Sequence, residues 1–222
     1  MIKPFIFVVP ILLIFVLAFL FVSNPGVEGG FWLSLFAVFV LIEKIWETFF
    51  TSKQKDVRKY QGDWTLMLTS VMYAIAGFLV IFEFFYTDKK INFVILLAGI
   101  AIYIFSGVLR YWSIKTLGKE WNIHLIDSNG GAKLIVKGPY KYIRHPIYLG
   151  HFLELVGIAL TFNAIYSLIF IFVVNLPLYI QRALYEEKKS LNKFGKEYII
   201  YMKNVSFMFP IKLFKINGSI KK

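Results

Sequence analysis

The sequence predicts an all-α fold: a polytopic transmembrane bundle of about six spans, the last two a hairpin, with a C-terminal amphipathic helix. Three observations carry this prediction. The 222 residues are 58% hydrophobic and 19% aromatic, more apolar than soluble domains, which stay near half. The apolar residues are gathered into blocks of roughly membrane-spanning length. The net charge of +12 sits at the ends of those blocks, as the positive-inside rule and attraction to anionic headgroups require. The length accommodates one membrane domain.

The first block covers residues 5–22, preceded by Lys3 and closed by Ser23, Asn24, Pro25 and Gly26. It is longer than a signal peptide's core of about 7–15 residues and lacks a cleavage pattern, so it reads as an uncleaved span. The second, 31–50, carries Glu43, Lys44 and Glu47 near its end, read as interfacial groups. A basic loop follows with Lys53, Lys55, Arg58 and Lys59. The third and fourth spans are expected at 65–86 and 91–109. The polar, basic stretch 110–145 then leads into two shorter apolar runs, 147–162 and 164–180, separated by Asn163. Those two runs suit a tight helical hairpin. After Gln181, Leu184, Leu191 and Tyr198 recur every seven residues among Glu, Lys and Asn, the pattern of an amphipathic helix. The chain thus divides into N-terminal spans (1–109), a catalytic, cofactor-binding region with the hairpin (110–210) and a basic tail (211–222). Alternation of basic loops places both termini and the polar stretch on the cytosolic side.

Composition also excludes. The chain has no cysteine, so disulfides, thiolate metal sites and a cysteine nucleophile are out, and no metal is expected. No basic stripe interleaved with stacking aromatics appears on a polar domain, so nucleic acid is not an expected partner. Membrane lipids are.

Chemistry concentrates where the polar stretch meets the hairpin, in Gly138-Pro139-Tyr140-Lys141-Tyr142-Ile143-Arg144-His145-Pro146-Ile147-Tyr148-Leu149-Gly150. Two prolines and two glycines exclude a simple helix start, and irregular backbone at membrane depth needs protein or a water-lined pocket around it. Tyr140, Tyr142 and Tyr148 offer rings and hydroxyls, His145 donates or accepts, and Arg144 has the geometry to grip a carboxylate. An interfacial aromatic belt with a snorkelling Arg would account for the same residues singly. A second group, Arg182, Glu186 and Glu187, lies just beyond the last apolar run. Spacing alone allows an i,i+4 salt bridge or a carboxylate placed to hold an ammonium or ribose hydroxyls.

Taken in order, Gly138-Pro139-Tyr140, Arg144-His145-Pro146-x-Tyr148-x-Gly150, Glu186-Glu187-x-x-x-Leu191-x-x-Phe194-Gly195-x-Glu197-Tyr198-x-x-Tyr201 and Pro210 resemble the isoprenylcysteine carboxyl methyltransferase family, whose superfamily includes phospholipid methyltransferases. Leu117-Gly118-x-x-Trp121 is similar to it as well. The resemblance covers roughly residues 110–210. It implies S-adenosylmethionine as methyl donor, contacted by Tyr140, His145, Pro146, Ile147, Tyr148 and Glu187, with the stretch Lys133, Leu134 and Ile135 beside them. It places Arg182 and Glu186 at the meeting point of donor and acceptor, as the catalytic pair. The absence of a Gly-rich strand–helix fingerprint agrees with a non-Rossmann donor site.

The implied reaction is in-line methyl transfer to a membrane-embedded lipophilic or lipid-modified acceptor. An ionised carboxylate would need no base and could be held by Arg182; an amine would have to lose a proton, which Glu186 could take. Ile147 stands where the eukaryotic prenylcysteine enzymes tend to carry Ser, so prenylcysteine does not follow as the acceptor. Two other readings compete. A sterol-type NADPH-dependent reductase has a related Arg-His-Pro-x-Tyr string, but with Asn and Glu at the positions of Ile147 and His151. The other is a non-catalytic scaffold or transport protein; polar groups near the midplane of the spans would favour transport, and the sequence shows few, chiefly Glu83, Asn163 and Asn175.

Overall fold

The structure, a computed structural model, describes residues 64–87, 92–118 and 134–210, together with Val38 alone. The expected spans at 5–22 and 31–50, Glu43, Lys44 and Glu47, the basic loop at 53–59, Trp121, Lys133 and the tail 211–222 lie outside the described residues. What is described is all-helical, without strands.

Helix α1, Trp64–Tyr86, and helix α2, Phe93–Leu117, occupy the third and fourth apolar blocks. Asn92 caps α2, its side chain accepting from the amides of Val94 (3.0 Å) and Ile95 (3.3 Å), which satisfies two of the orphan donors of a helix start. The helix does not stop near Leu109 as expected but runs on to Leu117. Nothing in residues 110–117 breaks a helix, and the charge of Arg110 is met by Glu154 at 3.3 Å. Gly118, with φ +53°, ends it, a conformation glycine adopts without penalty.

A 3₁₀ turn at Gly138–Lys141 precedes helix α3, Pro146–Thr161. Pro146 is the first helical residue, where its fixed φ and missing N–H cost nothing. Asn163, with φ +54°, turns the chain into helix α4, Ile165–Phe170, a π turn, Ile171–Asn175, and helix α5, Leu176–Phe194. These three run on as one 30-residue helix, 165–194. Gly195, at φ +52°, then breaks the chain before helix α6, Lys196–Asn204. The sevenfold pattern is therefore split between two helices, Leu184 and Leu191 on α5 and Tyr198 on α6.

Met67–Tyr86, Phe93–Leu117 and Ile165–Phe194 are long and apolar enough to cross a bilayer, and Pro146–Thr161 is a shorter apolar helix. Large apolar side chains such as Phe93, Val94, Leu97 and Phe105 are exposed on α2. That is costly in water and expected against lipid. Between α2 and α3 the backbones nearly touch. A Cβ on Gly99 would stand 2.4 Å from the Thr161 amide nitrogen, and one on Gly157 would stand 2.7 Å from that of Tyr103. Small residues at such crossings are how membrane helices gain close dispersion contact without a hydrophobic drive.

Among the described residues, Glu83 caps α4, accepting from the amides of Tyr166 (3.1 Å) and Ser167 (2.7 Å) and from the Ser167 hydroxyl (2.8 Å). A carboxylate there meets both the orphan N–H groups and the positive end of the helix dipole. Asn163 forms the turn. Asn175 is buried in the π turn, with its Oδ1 lacking a hydrogen-bond partner among the described residues.

Candidate active site at the N-terminal end of α3

The Arg-His-Pro string folds as an anchored start to α3. Ile143 pairs with Ser206 in an isolated parallel bridge. The amide of Arg144 donates to Ser206 O (2.9 Å) and that of His145 to Phe207 O (3.1 Å). The segment after α6 is thereby laid along residues 143–145.

Arg144 is the bolt of the arrangement. Its Nε lies 2.6 Å from Glu187 Oε1, and its Nη1 donates to Met202 O (3.0 Å) and Val205 O (2.5 Å), over the ring of Phe207. It thus neutralises a buried carboxylate and caps the carbonyl end of α6. The sequence suggested that Arg144 would grip a ligand carboxylate; internal partners occupy it instead.

His145 is buried between two acids. Nε2 is 3.2 Å from Glu187 Oε1, Nδ1 is 3.7 Å from Glu186 Oε2, and the ring meets Phe207 edge-on. Burial works against the imidazolium, but the hydrogen bonds to Glu186 and Glu187 outweigh it and raise the pKa above the ordinary 6.5. Tyr148, one turn along α3, donates its hydroxyl to Glu186 Oε1 and accepts from Arg182 Nε at 3.2 Å. Arg182, buried, also donates from Nη1 to Thr65 Oγ1 (2.6 Å) and lies 3.8 Å from Glu186. One network thus joins α1, α3 and α5.

Tyr140 is buried beside it. Its carbonyl accepts from the Tyr201 hydroxyl (2.7 Å). Burial, reinforced by Glu186, keeps its phenol protonated well above the ordinary range, and burial likewise raises Tyr198 and Tyr201. Leu134 packs on the cluster of Tyr198, Tyr201 and Val205. Pro146 is buried at the helix start, and Ile147 and Ile135 are half-buried without a polar role. The structure therefore brings together Tyr140, His145, Tyr148, Arg182, Glu186 and Glu187 from residues far apart in sequence.

The donor set suits a ligand rich in hydroxyl and ammonium groups. Every described contact of Glu187 runs to Oε1, so Oε2 is unclaimed among the described residues. Two adjacent carboxylates facing one end of α3 also match a cationic sulfonium. No group of three or more His, Asp or Glu suited to a metal occurs among the described residues.

Sequence reasoning missed the layer beneath. Glu154, fully buried in α3, receives Tyr73 OH at 2.9 Å, Arg110 Nη1 at 3.3 Å and His151 Nδ1 at 3.5 Å. The signal was present: a lone acid in an apolar run, matched by a lone Arg. Intramembrane ionisable groups of this kind warrant a functional reading by default.

Against known proteins, residues 99–193 match the model of the isoprenylcysteine carboxyl methyltransferase (ICMT) family. The chain is 35% identical over 91 residues to the uncharacterized protein YpbQ of Bacillus subtilis (strain 168), covering 40% of this chain and 54% of that one. It is 30% identical over 146 residues to protein-S-isoprenylcysteine O-methyltransferase B of Arabidopsis thaliana, covering 63% and 74%. With the Dictyostelium discoideum protein-S-isoprenylcysteine O-methyltransferase it is 25% identical over 195 residues, covering 84% and 79%.

Proposed function

The chain belongs to the isoprenylcysteine carboxyl methyltransferase family of membrane methyltransferases, and on that premise we propose that it uses S-adenosylmethionine to methylate a lipophilic acceptor. The protein is an integral membrane protein. Our reading adds about six spans, both termini and the active site at the cytosolic face, and α6 lying at the interface. The observation that carries the proposal is the convergence of His145, Tyr148, Glu186 and Glu187 at one end of α3.

In this reading Tyr140, His145, Pro146, Ile147, Tyr148 and Glu187 hold the donor, with Lys133, Leu134 and Ile135 alongside. S-adenosylmethionine, when bound, supplies a methyl group activated by a positive sulfur. Glu187 Oε2 accepts hydrogen bonds from the donor, while Arg144 holds Glu187 ionised and in place. Tyr140 and Tyr148 supply ring faces and the apolar start of α3 excludes water. Arg182 and Glu186 lie where donor and acceptor meet, and most of their effect is alignment within a dry site. The prenylcysteine carboxylate named by the relatives is one acceptor class for this chain; another lipophilic acceptor is the alternative that Ile147 leaves room for.

A sterol-type reductase is not favoured, since the named relatives are methyltransferases. The test is calorimetry of detergent-solubilised protein with S-adenosylhomocysteine and with NADPH. His145→Ala and Glu187→Ala should abolish binding of the former while the protein still inserts and unfolds cooperatively. Unchanged affinity in both variants overturns the site, and binding of NADPH alone overturns the activity.

A further inference from the structure

Helix α6 is tied to the bundle by a small patch of its surface. Tyr198, Tyr201 and Val205 pack with Leu134, Leu191, Phe194 and Met202 in a cluster separate from the main core. Gly195, at φ +52°, separates the helix from α5. The other ties run to the candidate donor site: Met202 O and Val205 O accept from Arg144, and Tyr201 donates to Tyr140 O (2.7 Å). Satellite clusters of this kind open at lower free energy than a main core. Whatever steadies α6 therefore steadies Arg144, its partner Glu187, and Tyr140.

The outer face of α6 has the chemistry of a bilayer interface. At about 100° per residue, Ile199, Lys203, Lys196 and Ile200 stand side by side, opposite Tyr198, Tyr201 and Val205. Ile199 and Ile200 are 44% and 60% exposed, and Lys196 and Lys203 are exposed between them. Neighbouring isoleucines are poorly placed in water. At a membrane surface they enter the acyl boundary while the lysine stems reach the phosphates. The helix is also in reach of that surface. Its C-terminal end is fastened through Ser206 and Phe207 to residues 143–145, where the apolar helix α3 begins.

Charge selects the kind of lipid. Between residues 188 and 204 stand Lys188, Lys189, Lys193, Lys196 and Lys203 against one acid, Glu197. Each lysine near an anionic surface strengthens attachment by about fivefold. A zwitterionic headgroup layer offers no such attraction.

We propose that the outer face of α6 is a docking surface for anionic lipid headgroups, and that docking tightens the donor site through Arg144 and Tyr140. The docking stands independently, whereas its effect on the donor rests on the methyltransferase reading. Lipid and donor both favour the seated position of α6, so each strengthens the binding of the other.

The test uses the full chain in nanodiscs of phosphatidylcholine alone and of equal parts phosphatidylcholine and phosphatidylglycerol. Without any cofactor, amide exchange over residues 196–207 should slow in the anionic discs while α2 is unchanged. Calorimetry should then show S-adenosylhomocysteine binding about fivefold to 25-fold tighter there, the effect of one to two lysines. High salt should shrink that gain. Lys196→Gln/Lys203→Gln and Ile199→Ser/Ile200→Ser should keep the affinity seen in neutral discs and lose most of the gain. Lys196→Arg/Lys203→Arg should retain it. Equal exchange and affinity in the two discs, or a gain that survives the Gln and Ser variants, overturns the proposal. So does the same gain from inorganic phosphate or a polyglutamate peptide in neutral discs. Slowed exchange with no S-adenosylhomocysteine binding in either disc overturns the methyltransferase reading and the coupling, and leaves the docking surface.

Discussion

A Cβ on Gly150 would stand 2.4 Å from Cγ of Arg110. The last glycine of the Arg-His-Pro string is thus the notch through which the Arg110 stem passes to reach Glu154. Gly150→Ala forces the Arg110 stem aside or pushes α2 from α3, an overpacking cost of about 1–3 kcal/mol. Gly107, also in α2, has nothing within 4 Å of a would-be Cβ. Gly107→Ala should instead be neutral or stabilising by about 0.5–1 kcal/mol through helix propensity. Thermal unfolding of the two variants in one detergent should move in opposite directions.

Arg144→Ala leaves Glu187 buried without its closest cation and strips the cap from α6. Removing one partner of a buried pair costs about 3–5 kcal/mol. The loss should appear locally as faster amide exchange at 144, 145 and 205–207, where the two segments are laid together, with α2 little affected. Arg144→Lys should recover only part, because one ammonium cannot serve Nε and Nη1 contacts in different directions.

His145 makes stability depend on pH. Its folded pKa lies above the unfolded 6.5, so its contribution is fully present below that value and is lost as pH rises through the folded pKa. The melting temperature of the parent protein relative to His145→Asn should therefore be highest on the acid side and narrow as pH rises above the ordinary 6.5. A gap that widens with pH would contradict the two-carboxylate arrangement.

Much of this site was legible in sequence as order and not as contact. The apolar blocks located α1 to α5 because bilayer thickness sets helix length, and the string from Gly138 to Tyr201 placed His145, Tyr148, Glu186 and Glu187 in one group. What sequence could not express was partnership across 43 to 61 residues, as between Arg144 and Glu187 or Val205. The same residue types fit a ligand grip and an internal bolt, and only the fold decides between them. Glu83 escaped for a similar reason: its cap serves a helix that starts more than eighty positions later. The layer of Arg110, His151 and Glu154 was hidden because an apolar run with one acid still reads as a span.

Tyr148→Phe tests the joint between Arg182 and Glu186 at the donor site. The phenol hydroxyl donates to Glu186 and accepts from Arg182, and its removal takes both bonds away. Hydrogen bonds to charged groups contribute about 1.5–3 kcal/mol each, so the methyl-transfer rate should drop by about one to two orders of magnitude. The ring itself is kept, so stacking on Tyr179 and the overall fold persist. Affinity for S-adenosylhomocysteine should weaken less than kcat, because Glu187 and His145 keep their own contacts when the hydroxyl is gone. If the affinity collapsed while kcat at saturation held, Tyr148 would belong to donor binding alone and the alignment of Arg182 and Glu186 would not depend on it.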